Sequence, residues 1–119
     1  MKIIIRTIMN VLPHKQKEML QTLLSFPRPP DSEGCLSYTI LGDIENAHVI
    51  NLISVWQTHR HLDRHLLSDR FSVLLGTRSL LHEPLDIQIM TISSVEGMES
   101  VNALRKRETT PYKLTRQGG

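Results

Sequence analysis

The chain opens on an alternation in which both parities are apolar. Ile3, Ile5, Thr7, Met9 and Val11 interleave with Ile4, Arg6, Ile8, Asn10 and Leu12. Both sets are largely β-branched or apolar, which reads as a strand buried on both faces. The period changes at Pro13, a favoured first-turn residue of helices. Leu12, Met19, Leu20, Leu23 and Leu24 then leave Lys15, Lys17 and Glu18 mostly on other faces, which predicts an amphipathic helix over residues 14–26. Phe26-Pro27-Arg28-Pro29-Pro30 stops it, because prolines remove backbone donors and push the preceding residues into extended conformations. The loop runs to Gly34.

Cys35–Leu41 and His48–Gln57 are β-rich, and Gly42-Asp43 with Glu45-Asn46 marks a turn between them, so the pair reads as an antiparallel hairpin. Thr58 can cap a helix over His59–Leu67, and Ser68 or Asp69 can cap another over Arg70–Leu81, closed by Pro84. Leu85–Val95 alternates again and supplies a fourth strand. The order β-α-β-β-α-β, with the second helical stretch in two pieces, predicts an α+β, ferredoxin-like subunit: a four-stranded antiparallel sheet with helices on one face. Because the strands carry apolar residues at both parities, the helix-free face is too apolar to leave in water, and a homodimer with its two sheets facing each other is expected. Residues 1–97 form one domain without internal repeat. Residues 98–119 lose periodicity and gain Arg, Lys, Thr, Pro and Gly, the pattern of an arm over the partner or a disordered tail.

Composition narrows the class. With 119 residues, 39% hydrophobic and 22% charged, the chain is an ordinary globular domain. Cys35 is the only cysteine, so an intramolecular disulfide or four-thiolate metal site is unavailable, and a cytoplasmic setting is expected. No apolar stretch reaches the roughly 18 residues of a membrane span. Arg6 and Asn10 interrupt Met1–Leu12, and no small-residue cleavage site follows it. The net charge of +2 is uneven: residues 1–99 hold nine Lys/Arg against eleven Asp/Glu, and residues 100–119 hold five against Glu108. A basic tail without interleaved aromatics is weak ground for nucleic acid, and none is expected as a partner.

Several chemistries lack their motifs. The glycines at 34, 42, 76 and 97 are isolated, so there is no phosphate-binding loop, and there is no nucleophile elbow. Cys35 lies in a β-rich run and reads as a small buried hydrophobe. His59, His61 and His65 cluster; His61 and His65 are four apart on a predicted helix, and Asp69 extends the same face. Their neighbours Arg60, Asp63 and Arg64 mark a solvated surface, so no metal site is assigned. His65 also sits beside Leu62 and Leu66 on the apolar stripe, where a neutral imidazole pointing into a pocket can act as a base. Polar residues on a half-buried sheet need a reason. Arg6 and Asn10 share one face of the first strand, Ser54 and Trp56 share one of the third, and Gln88 interrupts the fourth. Convergence of these five on one cavity is the expectation.

From Lys2 to Val95 the sequence resembles the antibiotic biosynthesis monooxygenase family. The matching features are Gly34-Cys35-Leu36-Ser37-Tyr38 opening the second strand, Ser54-Val55-Trp56 ending the third, then Leu62, His65, Ser68 and Phe71. The resemblance implies a ferredoxin-like subunit paired into a dimeric α/β barrel. It also implies a pocket between sheet and helices for an aromatic small molecule of anthrone or quinol type, oxygenated without a cofactor. On that likeness His65 accepts a proton, Asn10 and Trp56 orient the substrate, Arg6 stabilises a phenolate, and Ser54, Phe71 and Gln88 complete the substrate-binding set. Haem-degrading relatives share an Asn on the first strand, a Trp ending the third and a His on the following helices, so Asn10, Trp56 and His65 also resemble a haem-associated set. Binding of haem or another small molecule without oxygenase turnover, and a purely structural or interaction dimer, are the alternatives.

Overall fold

In the computed structural model residues 1–108 are described. Strand β1 spans Lys2–Asn10, helix α1 Gln16–Leu24, β2 Cys35–Gly42 and β3 Val49–Trp56. Helices α2 (His59–Leu66) and α3 (Asp69–Leu75) follow, then β4 (Asp86–Ile92) and helix α4 (Met98–Glu108). The four strands form one antiparallel sheet in the order β2-β3-β1-β4, the arrangement of a split βαβ fold. Among the described residues, no helix is long and apolar enough to cross a membrane.

The pleat divides the two parities of the central strands. On β1, Ile3, Ile5, Thr7 and Met9 are buried under the helices, and Ile4, Arg6, Ile8 and Asn10 are half-buried on the other face. On β3, Ile50, Leu52, Ser54 and Trp56 face the helices, and Asn51, Ile53 and Val55 face away. The core consists of the helix-facing residues together with Met19 and Leu23 of α1, Leu62 of α2, and Phe71 and Leu74 of α3.

Local chemistry sets the element ends. Asp43 Oδ1 accepts from the backbone N–H groups of Glu45 and Asn46 at 2.8 and 2.9 Å and shapes the β2–β3 turn. Thr58 and Ser68 cap α2 and α3 by accepting from the N–H groups of His61 and Phe71. The helix expected over residues 70–81 gives way after Leu75 to a 3-10 turn at Gly76–Leu80. Gly76 is a weak helix former, and the Thr77 hydroxyl donates to the Leu74 carbonyl at 2.7 Å, which favours the tighter turn. The helix expected over 14–26 is α1 preceded by a 3-10 turn at Pro13–Lys15. Of the segment expected as an arm or tail, residues 98–108 form α4, in which no residue is buried; 109–119 lie outside the described residues.

Candidate functional site

The site is built where the end of β3 meets α2 and α3. Ser54 and Trp56 are two apart on a strand, so both point beneath the helices. The indole Nε1–H of Trp56 donates to Ser54 Oγ at 2.9 Å, which fixes the plane of a fully buried ring. On α2, Leu62 and His65 are three apart and form the buried stripe. His65 therefore lands on Trp56: the ring centroids are 4.4 Å apart and the planes 26° from parallel. Phe71 closes the other side, edge-on at 5.5 Å and 70°. The Ser68 hydroxyl, between the two helices, donates to the His65 carbonyl at 2.6 Å and accepts from Phe71 N–H at 3.2 Å, so one side chain sets the spacing of the two rings.

The His65 side chain is only 8% exposed. Burial pushes its pKa down to about 4; the Arg70 cation adds to the drop and the Glu33 carboxylate opposes it. The imidazole is thus neutral at neutral pH. Among the described residues no side-chain nitrogen or oxygen is both fully buried and unpartnered. Tyr38, whose Cα pairs with Ser54, borders His65, Arg70 and Phe71, and burial raises its phenol pKa. A pocket of about 250 Å³ opens beside the stack, lined by Ser32, Glu33, Trp56, His61, Arg64, His65 and Ser68. Its roof is the turn at Asp31–Glu33, which ends in Gly34 at φ 83°. A Cβ on Gly34 would run into the His61 ring, so only glycine lets this turn approach α2 so closely.

The structure brings together His65, Trp56, Ser54 and Phe71. It separates them from Arg6, Asn10 and Gln88, which corrects the expected convergence of the strand polar groups. Arg6 and Asn10 stand at even positions of β1, on the helix-free face, where the Arg6 Nε–H donates to Asn51 Oδ1 at 2.8 Å. Gln88 pairs with Arg6 across β1 and β4 and shares that face. The sheet lies between the two groups; in one protomer they cannot line a single cavity. Strand parity was readable, but which parity the helices would cover was not, since both are apolar. Glu33, His61 and Arg64, outside the set expected from the sequence, also line the pocket. His61 was visible as the residue four before His65, whereas Glu33 reaches the site through a loop that carries no periodic signal.

The same split bears on a metal and on haem. His61 and His65 do not form a ligand pair: His61 Nδ1 is bonded to Thr58 Oγ1 at 2.7 Å, and His65 is stacked on Trp56. Among the described residues no group of three or more His, Cys, Asp or Glu side chains is placed to hold an ion. The residues do not fit haem as the resemblance arranged them. Asn10 is across the sheet from Trp56 and His65.

Comparison with known proteins places this geometry among relatives. No curated protein matches the chain. Solved structures with the same fold include Rv0793 from Mycobacterium tuberculosis, at 16% identity and TM-score 0.72, covering 82% of this chain and 100% of that one. PA3566 from Pseudomonas aeruginosa is 21% identical with TM-score 0.67, over 78% of this chain and 95% of that one. A conserved protein from Methanosarcina mazei Go1 is 21% identical with TM-score 0.63, over 75% and 90%. At these identities the likeness establishes the fold. The family model described as antibiotic biosynthesis monooxygenase matches residues 1–74, which run from β1 to the penultimate residue of α3 and contain the whole Ser54–Trp56–His65–Phe71 cluster, and the chain belongs to that family.

Proposed function

We propose that the protein is a cofactor-independent monooxygenase of an electron-rich aromatic of anthrone or quinol type, acting as a homodimer. The observation that carries this reading is the neutral, buried His65 held against Trp56 at the wall of a pocket. In such a reaction the substrate supplies the electrons. For an anthrone, the ring methylene and O2 give a ring carbonyl and water: one oxygen atom enters the carbon, the other leaves with the two methylene hydrogens, and the carbon loses four electrons. The protein's part is to take the first proton, orient the ring and exclude water.

The acidities decide which groups are needed. A phenol of ordinary acidity has a pKa of about 10, and His65 lies at about 4. Proton transfer between them is uphill by roughly six units, on the order of 8 kcal/mol. His65 alone is too weak a base, so the anion needs a cation nearby. Arg64 lines the same pocket and supplies it. Arg6, assigned that role on the resemblance, is on the opposite face of the sheet. Trp56 offers an aromatic ring beside the substrate space, with Phe71 and Ser54 setting the stack.

The homodimer rests on the helix-free face, where Ile4, Ile8, Ile53 and Val55 remain half-exposed and Met90 and Leu41 are exposed. Pairing two such faces would bury them and enclose Arg6, Asn51 and Gln88 as a polar stripe. Oxygen uptake by purified protein with a panel of anthrones and hydroquinones tests the function. Uptake should exceed autoxidation and fall by about 10²-fold or more in His65→Ala, the usual weight of a general base. Uptake equal in the variant and the parent protein would refute the role of His65, and none above autoxidation would refute the oxygenase reading.

A further inference from the structure

The mouth of the pocket carries charged and polar side chains beside the aromatic stack. Arg64 lines it from α2 and has no ion-pair or hydrogen-bond partner among the described residues. His61, one turn earlier on the same helix, is held from two sides: its ring packs on Gly34, and its Nδ1 is bonded to Thr58 Oγ1. That hydroxyl oxygen already accepts from His61 N–H at 3.3 Å. The hydroxyl can donate to Nδ1 or accept from it, and in either case Nε2 is the ring nitrogen that Thr58 does not use. Glu33 is the one carboxylate on the wall, and it is engaged by Arg70 Nη1 at 3.6 Å. Arg64, Arg70 and Glu33 together leave one net positive charge around a rim that also carries the hydroxyl of Ser32.

We infer that this pocket takes an aromatic ligand bearing a carboxylate, with Arg64 as the group that binds the acid and His61 beside it on the same wall, while the ring system lies toward Trp56 and His65. This rests on the reading of the pocket as the aromatic-substrate site and narrows its substrate class. A carboxylate is the ligand group that accepts from a guanidinium fork. It would sit at the half-open rim, away from the buried imidazole that must stay neutral. Arg64 thereby has two tasks on one wall, holding the acid in the bound state and stabilising the anion that forms as His65 takes a proton.

Binding measured without turnover separates this inference from the oxygenase itself. Trp56 is the only tryptophan of the chain and borders the pocket, so its fluorescence reports occupancy. The probes are anthraquinone-2-carboxylate and the uncharged 2-hydroxymethylanthraquinone, neither of which retains an oxidisable ring methylene. The carboxylate should quench Trp56 at lower concentration than the alcohol. Arg64→Ala should weaken the carboxylate roughly five- to tenfold, as expected for a partly exposed charged hydrogen bond, and leave the alcohol within twofold. Glu33→Gln should tighten the carboxylate, and added salt should weaken it selectively. Arg64 is exposed, so the unliganded emission of Arg64→Ala should match the parent protein and certify its fold. Equal affinity for the two probes, or an Arg64→Ala variant indifferent to the carboxylate, would overturn the acid-binding role and leave the aromatic pocket standing. Failure of both probes to quench Trp56 would overturn the pocket reading and this inference with it.

Discussion

His65 stacks on Trp56 with 4.4 Å between ring centroids, and this one contact ties α2 to the end of β3. It therefore serves the fold and the site at once. The stack excludes water from one face of the imidazole, burial keeps the ring neutral, and neutrality is what lets it accept a proton. A change that loosens the stack should move stability and chemistry together.

The depressed pKa makes stability depend on pH. Folded His65 protonates near pH 4 and unfolded histidine near 6.5. Between these values the unfolded chain binds more protons, so stability rises with pH. The His65 contribution is complete above pH 6.5, declines as pH falls through the window and is lost below about 4. The separation of these two values corresponds to roughly 3 kcal/mol. Urea unfolding followed at pH 7, 6, 5 and 4 should show this slope, and His65→Phe, which keeps an aromatic ring against Trp56, should flatten it. An equal slope in the variant would place the titration elsewhere.

The indole–hydroxyl bond is the next support. Removing the Ser54 hydroxyl leaves the Trp56 N–H without its partner in a buried place, which costs about 1–3 kcal/mol. Ser54→Ala should lower stability by that amount and shift the Trp56 emission, and Ser54→Thr, which retains a hydroxyl, should restore most of both. If Ala and Thr variants behave alike, the bond is not what holds the ring.

Much of this was legible in sequence. The period-2 runs marked the strands, Thr58 and the pair Ser68-Asp69 marked the helix starts, with Ser68 the residue that caps, and the family resemblance picked out Trp56, His65 and Phe71, which the fold brings together. What could not be read was the face of β1. Ile4 and Ile8 are as apolar as Ile3 and Ile5, so alternation alone does not say whether Arg6 and Asn10 lie under the helices or away from them. Cross-strand register settles it: Ile5 pairs with Ser54 and Arg6 with Ile53, so Arg6 stands on the other side of the sheet from the Trp56 site. Glu33 was hidden for a different reason, since its approach depends on a left-handed glycine and a loop path.

That glycine can be tested directly. Gly34 has φ 83°, a region that costs an L-residue about 1–2 kcal/mol, and a Cβ there would strike the His61 ring. Gly34→Ala should destabilise the fold by 2 kcal/mol or more, at the upper end of that strain once the clash is added, and displace the pocket's roof. Gly42 has no positive φ and nothing within 4 Å of an added Cβ, so Gly42→Ala should stay within about 1 kcal/mol of the parent protein. Comparable losses at both positions would show that backbone entropy, and not the contact with His61, is responsible.

The proposed dimer makes the helix-free face its own test. Ile4 pairs with Val55 on one side and Met90 on the other, so it sits among apolar neighbours on that face, while Ile3 and Ile5 keep the core intact beneath the helices. A carboxylate at Ile4 would be buried without a partner if two sheets close on each other, at a cost of about 3 kcal/mol or more, which weakens association over 100-fold. Sedimentation of Ile4→Glu at micromolar concentration should therefore give the mass of one chain where the parent protein gives two. The Trp56 emission should be unchanged, because Trp56 lies on the opposite face of the sheet. A variant that stays dimeric would move the interface off this face and leave Arg6, Asn51 and Gln88 facing solvent, where a polar stripe needs no partner. A variant that dissociates with its Trp56 environment intact would show that the pocket is assembled within one protomer, so that pairing and substrate binding can be altered separately.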